Sequence, residues 1–290
     1  MSTDPGVESR GERAARRPRR GLYVLPSIFT AGNIALGFYA ITQSLQGTST
    51  NYVYFDHAAL AIAFALPFDA LDGRIARMTN TESDFGRELD SLADVITFGV
   101  APSILAYTWG FRLLPILQNV HMRQRILDIG LLAAFLFLIC GACRLARFNV
   151  TVNPKPSNPG RPGRRYFVGM PIPAAAGVIA SVVHCFEGSP INNPWISLVW
   201  MGLLLFTGFL MVSRWRFWSG KEINLGDQHP ARLFVVIMLL GVLLGTFSNY
   251  LLITIALAYM VSGMWARLMY AAQSRRARRL GTPMPGVSQS

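Results

Sequence analysis

Charged side chains are scarce in this chain. They make up 14% of its 290 residues, where soluble domains carry about a quarter. That shortage excludes an ordinary soluble enzyme with an attached anchor. Lysine is nearly missing: of 27 basic residues only Lys155 and Lys221 are lysines. Acidic residues are fewer still, at 15. Three cysteines, Cys140, Cys143 and Cys185, give no disulfide framework. Cys140 and Cys143 form a lone C-x-x-C inside an apolar run, without the second pair that a metal site needs. They read as packing residues. No Gly-rich phosphate loop and no Ser-His-Asp arrangement is legible. The four histidines, His57, His121, His184 and His229, are scattered and read as surface or interface residues. The first 20 or so residues form a polar, Arg-rich arm with no short apolar core before a cleavage site, so they do not read as a cleaved signal peptide.

What is abundant is apolar sequence, at 52%. A spanning helix needs about 20 largely apolar residues. Candidates fall at 22–46, 56–79, 86–108, 126–148, 170–187, 195–213, 232–248 and 250–270. The expected fold is all-α: a polytopic transmembrane helical bundle of about eight spans. Residues 1–21 would be a basic cytoplasmic arm, 22–270 the catalytic membrane domain and 271–290 a basic cytoplasmic tail. The arm carries Arg10, Arg13, Arg16, Arg17, Arg19 and Arg20, and the tail Arg275, Arg276, Arg278 and Arg279. Excess Arg marks the cytoplasmic side, so both ends lie there and the span count is even. These basic ends face anionic lipid rather than nucleic acid. One conflict remains. The loop after the third span should be external, yet it carries Arg112, Arg123 and Arg125, which leaves six or seven spans as alternatives to eight.

The few acids are concentrated. Seven of the 15 lie between Asp69 and Asp94. A charge at the bilayer centre costs roughly 3 kcal/mol or more, so it must be paired, metal-bound or open to water. On helices, Asp69 and Asp72 share one face, as do Asp90 and Asp94. Two such helices face to face would aim four carboxylates into one cavity, a site for hard divalent cations. Gly73 lies one turn after Asp69, and Arg77 one turn further on. A glycine there admits a phosphate to the backbone, and the arginine would bind it. Ala76 keeps the adjoining surface small, and Gly86, one turn before Asp90, permits close helix approach.

The segment reads D-x-x-D-G-x-x-A-R, eight residues, then G-x-x-x-D-x-x-x-D, with every fixed position filled. It resembles the CDP-alcohol phosphotransferase family. The resemblance implies transfer of a substituted phosphate from a CDP-linked donor to an alcohol, with release of CMP. It further implies that Asp69, Asp72, Asp90 and Asp94 hold two divalent ions, Mg²⁺ or Mn²⁺. Asp94 would be the base for the acceptor hydroxyl. Gly73, Arg77, Ser83 and Gly86, together with Asn33, would face CDP-diacylglycerol.

The likeness extends beyond the signature. LPSIFTAGNIALGFYAI at 25–41, LDSLADVITFGVAPS at 89–103, CRLARFNV at 143–150 and YFVGMPIPAAAG at 166–177 are similar to the bacterial, membrane-embedded, serine-using branch of that family. Ser27 departs from it, since asparagine often follows that proline. The branch implies L-serine as acceptor, the bacterial cell membrane as location, an active site facing the cytoplasm, and a homodimer as a possible state. Serine carries a carboxylate, which suits arginine. Arg144 and Arg147 end the fourth span, with Asn149 just beyond, and are the candidate carboxylate ligands. Arg144 has no acid within one turn on its own helix, so its partner is another helix or a ligand. A sister enzyme using glycerol 3-phosphate or inositol phosphate is the nearest rival, and would favour more basic residues around the cavity. A cation channel or transporter is a rival of another class. It predicts carboxylates spread through the membrane depth, whereas these cluster toward one side.

Overall fold

The computed structural model describes residues 24–79, 84–115, 120–151, 166–218 and 230–280, without the side chains of 24–27, 71–79, 84, 120, 230–247, 277, 278 and 280. Helix α1 (Val24–Gln46) runs away from the N-terminal arm, and α2 (Val53–Thr79) returns antiparallel against it. Helix α3 (Asp84–Asp94) then runs parallel to α1. It continues without a break through a π segment (Val95–Val100), helix α4 (Ala101–Tyr107) and a second π segment (Thr108–Arg112). Helix α5 (Val120–Val150), strand β1 (Tyr166–Val168), α6 (Ile172–Cys185), α7 (Pro194–Val212), strand β2 (Arg216–Trp218) and α8 (Pro230–Leu280) complete the order. The two short strands pair antiparallel, with Phe167 opposite Phe217.

Alternation of direction gives the bundle two ends. One end gathers the start of α1, the end of α2, the start of α3, the ends of α5 and α7, and the β-ribbon. This is the site end, and the C-terminus of α8 points the same way. The core between the ends is built largely from alanine on α2 and α6, with Phe55, Phe98, Phe137 and Ile179 filling the larger gaps. Small residues bring membrane helices close where dispersion, not water exclusion, drives association. Gly37 is such a point: a Cβ there would sit 2.6 Å from Thr97 Oγ1, so α1 lies directly on the first π segment. Pro67 stands inside α2, two residues before Asp69. It cannot donate to the carbonyl four residues back and so loosens the helix at Ala63.

Five described helical stretches are long and apolar enough to cross a membrane: Val53–Ala70, Phe85–Arg112, His121–Val150, Pro194–Val212 and Ser248–Arg276. Large apolar side chains such as Phe38, Phe64, Phe135 and Val199 are exposed on the bundle's outside, as lipid contact requires. The expected count of eight spans is not confirmed. The expected span 170–187 is a 14-residue helix, α6. The expected spans 232–248 and 250–270 run as one helix, α8, without the break that two separate spans meeting at Ser248 and Asn249 imply. The reason is visible in their side chains. No glycine or proline stands at 246–250, and both polar residues reach sideways rather than back to their own backbone.

Their targets form a polar knot at the far end. His184 Nδ1 meets Asp56 Oδ1 at 2.5 Å, and His184 Nε2 meets Ser248 Oγ at 2.9 Å. Asn249 Nδ2 donates to Glu187 Oε1 at 3.4 Å. A Ser-His-Asp chain, absent from the sequence reading, therefore exists and ties α2, α6 and α8 together. His184 is buried rather than a surface residue. The neighbouring Arg112 is also explained: its Nη2 donates to the carbonyl of Gly47 at 2.6 Å, so it closes the α1–α2 turn. Its charge at this end is structural and is not a topology signal.

Asp56 lies 13 residues before Asp69, about 20 Å along the helix. Asp56→Asn is therefore expected to lower stability by roughly 1.5–3 kcal/mol, the worth of a hydrogen bond to a charged group, without moving either substrate KM. Thermal unfolding in detergent, run beside a steady-state assay, checks both parts.

Candidate active site

Helices α2 and α3 meet at the site end, where their acidic faces converge. One carboxylate oxygen from each of Asp69, Asp90 and Asp94 lies within 4.8 Å of the others. All three residues are half-buried. Asp94 Oδ1 is buried without a hydrogen-bond partner among the described residues. Three hard oxygens this close suit a divalent cation. Asp72, Gly73, Ala76 and Arg77 stand on the last turns of α2, one and two turns beyond Asp69, but their side chains lie outside the description. Ser83 falls outside the described residues. Gly86 opens α3, one turn before Asp90.

The π segment begins directly after Asp94. A π-turn inserts an extra residue into the helical register and is frequent at functional sites. Its effect here is to bring Thr97 onto α1, where its hydroxyl donates to the carbonyl of Asn33 at 2.9 Å. The last aspartate is thus fixed against α1 through its own helix.

Arg144 approaches from α5. It is 7% exposed. Its guanidinium lies between two rings, 5.3 Å from the centroid of Phe148 and 5.7 Å from that of Phe167. Such cation–π contacts strengthen as water is removed. The guanidinium is near enough to Asp94 and Tyr259 to interact with them electrostatically. The opposite charge that Arg144 lacks on its own helix is therefore supplied at longer range, from Asp94 on α3. A cavity of about 30 Å³ is lined by Arg144, Arg147, Phe148 and the three residues of β1. Asn149 Nδ2 donates to Ser91 Oγ at 2.9 Å and ties the end of α5 to α3.

Arg147 is placed differently from Arg144. Its Nη1 donates to the carbonyl of Val212 at 2.9 Å, and its Nη2 reaches the carbonyls of Val168 at 3.1 Å, Ser213 at 3.3 Å and Met211 at 3.5 Å. These include the last carbonyls of α7, which have no partner within their own helix. Gly169 makes this possible. It adopts φ +80°, and a Cβ there would lie 2.9 Å from both Arg147 Nη2 and the Ser213 carbonyl. The guanidinium thus fastens the β-ribbon to the end of α7. Three contributors escaped the sequence reading. Phe148 and Phe167 stand in the recognised segments but carry no polar signal, and Tyr259 lies within an apolar helix. The Tyr259 hydroxyl donates to the Trp218 carbonyl at 3.0 Å and holds the other strand.

A second, apolar cavity of about 190 Å³ opens between α2, α6 and α8. Ala63, Leu66, Ala174 and Gly177 wall it, and Tyr259 stands at its edge. It therefore starts beside the charged site and extends along the bundle.

Comparison with known proteins agrees with this geometry. Residues 23–210 match the family model of the CDP-alcohol phosphatidyltransferases, and the chain belongs to that family. A CDP-diacylglycerol–serine O-phosphatidyltransferase of Helicobacter pylori is 35% identical over 77% of this chain and 81% of its own. The enzyme of that name from Bacillus subtilis is 36% identical over 67% of this chain and 89% of its own. One from Mycobacterium leprae is 32% identical over 84% and 75%.

A lysine cannot span the four carbonyls that Arg147 meets, because its ammonium is a single point of charge. Arg147→Lys is expected to cost about 1–3 kcal/mol of stability, from carbonyls left without a donor. A fall of the thermal midpoint well beyond that of Arg275→Lys, on the tail, checks this.

Proposed function

We propose that this protein transfers the phosphatidyl group of CDP-diacylglycerol to the hydroxyl of L-serine, giving phosphatidylserine and CMP. The observation that carries the reading is a buried arginine within electrostatic reach of the last aspartate of the acidic cluster. Serine is a short molecule with a carboxylate at one end and a hydroxyl at the other. Arg144 binds the first by charge-assisted hydrogen bonds, and Asp94 takes the proton of the second. The relatives' names support the same acceptor.

The roles then follow from position. Gly73 and Arg77 receive the diphosphate and cytidine of the donor, and Ser83 and Gly86 take part in the same donor binding. The acyl part enters sideways from the bilayer, and the apolar cavity between α2, α6 and α8 receives it. Phe148 and Phe167 exclude water around Arg144, which strengthens its grip on the carboxylate. The serine oxygen forms a bond to the phosphorus that carries diacylglycerol, the bond from that phosphorus to the CMP oxygen breaks, and the hydroxyl proton passes to Asp94. Asp69, Asp72, Asp90 and Asp94 would hold Mg²⁺ or Mn²⁺, two ions if all four take part, which neutralise phosphate charge during the transfer. Asn149 supports the acceptor side through Ser91. The site end holds the start of α1, and α8 runs toward that side to Arg275 and Arg276, which argues for a cytoplasmic face in a bacterial-type cell membrane.

Release of CMP from CDP-diacylglycerol, measured with serine, glycerol 3-phosphate and inositol phosphate in turn, tests the acceptor. Serine is expected to be the substrate that supports turnover, and turnover with either phosphorylated alcohol in its place would overturn the reading. Exhaustive chelation is expected to abolish the reaction, and Mg²⁺ or Mn²⁺ to restore it. Arg144→Lys is expected to raise the serine KM on the order of tenfold or more while the donor KM stays close to wild type, because lysine cannot reproduce a bidentate carboxylate contact. An unchanged serine KM would remove Arg144 from the acceptor pocket.

A further inference from the structure

Asn33 sits on α1 with 1% of its surface exposed. Neither its Nδ2 nor its Oδ1 has a hydrogen-bond partner among the described residues. A buried amide in that condition carries its full desolvation penalty with nothing to offset it. Membrane helices made for packing alone use Ala, Gly, Ser or Leu at such a position. The amide therefore has a reason beyond packing.

Its surroundings supply one. The carbonyl of Asn33 accepts the Thr97 hydroxyl, and Thr97 follows Asp94 by three residues. Gly37, the next turn of α1, touches the backbone of Thr97 so closely that a Cβ would lie 2.9 Å from its Cα. The two helices are thus locked in register at this level. In a helix the Cα–Cβ bond tilts toward the N-terminus. Helices α1 and α3 run the same way, with their N-termini at the site end. The Asn33 side chain therefore leans from the level of Thr97 toward the level of Asp94. Asp94 Oδ1 is also buried and without a hydrogen-bond partner among the described residues. The Asn33–Thr97 contact thus sets a buried amide and a buried carboxylate oxygen, each without a hydrogen-bond partner among the described residues, about one turn apart across the α1–α3 seam. Gly73 and Arg77 stand elsewhere, on the last turns of α2.

We infer that Asn33 binds the acceptor alcohol rather than the donor, by gripping its reacting end. An amide presents one acceptor and one donor side by side. A vicinal amino alcohol presents the complement: its ammonium donates to Oδ1, and its hydroxyl oxygen accepts from Nδ2 while the hydroxyl proton faces Asp94. A neutral amide does this without adding a charge beside the aspartates. It also offers little to a phosphorylated alcohol, which needs cationic partners. The inference rests on the serine reading for the identity of the alcohol, and on Asn33 and Thr97 alone for its placement.

The test uses the full-length protein in detergent with Asn33→Leu, which keeps the volume and removes the amide, and Asn33→Ala as a second variant should the first fail to fold. The thermal midpoint without substrates is expected to stay level or rise, because an unsatisfied buried amide is gone. The serine KM is expected to rise at least tenfold while the CDP-diacylglycerol KM stays within twofold. Thr97→Val, which removes the contact to the Asn33 backbone but keeps the amide, is expected to shift the serine KM far less. A serine KM within twofold of wild type overturns the inference. So does a donor KM that rises as much as the serine KM, or a midpoint that falls by several degrees in both Asn33 variants, which would mark the amide as structural. Should the wild type turn over another alcohol and not serine, the serine reading fails together with the amino-alcohol pairing. The acceptor-side placement is then decided by the same comparison with the alcohol that is used.

Discussion

Everything at the site end depends on keeping like charges together where water is thin. Asp69, Asp90 and Asp94 repel one another across less than 5 Å, and the apolar bundle around them weakens every means of screening that repulsion. Three devices answer the problem. The first is the oxygen geometry itself, which suits a divalent cation. Arg144 is the second, a full positive charge delivered from α5. The third is mechanical: α1 packs along α2 and is tied through Asn33 to Thr97, on the helix that continues α3, so it braces both acidic helices. Each device is also what the reaction needs. A phosphate wants the cation, an amino acid's carboxylate wants the arginine, and an alcohol wants a fixed carboxylate. On the proposed function, charge compensation in the resting protein and recognition in the working one draw on the same groups.

The acidic cluster was legible because it contradicted its surroundings. Carboxylates at helical spacing in an apolar chain have few explanations, and the surrounding motif narrowed them to one family. Arg144 was legible for the same reason, as a charge inside an apolar helix. The groups that hold these residues were not. Arg147 looked equivalent to Arg144 in sequence, yet its partners are backbone carbonyls of residues 168 and 211–213. Carbonyls are the same at every position and leave no mark in a sequence. His184 read as an isolated histidine because its two partners lie 128 and 64 residues away. The π segments were invisible, since VITFGV has no composition that separates it from an α-helical run.

The helix count shows the opposite error, in which a local signal was overridden. Ser248 and Asn249 between two apolar stretches looked like a turn, the usual meaning of short polar residues at such a place. In the folded protein their side chains serve His184 and Glu187 at the end of α6. The backbone, relieved of that duty, stays helical. A tertiary partner converted a turn signal into an anchor.

The clamp around Arg147 has a consequence for how the protein is made. Its acceptors on the α7 side lie 64 to 66 residues further along the chain, so a ribosome finishes α5 well before they exist. During that interval Arg144 and Arg147 stand at the end of a newly inserted helix with neither the ribbon nor α7 to receive them. The positive charges that later pack against the ribbon stand meanwhile at the end of α5, where they favour the membrane edge over its interior. Only when β2 emerges can the ribbon close over Phe167. The active site is therefore a late product of biosynthesis, although its aspartates are among the first residues to be placed.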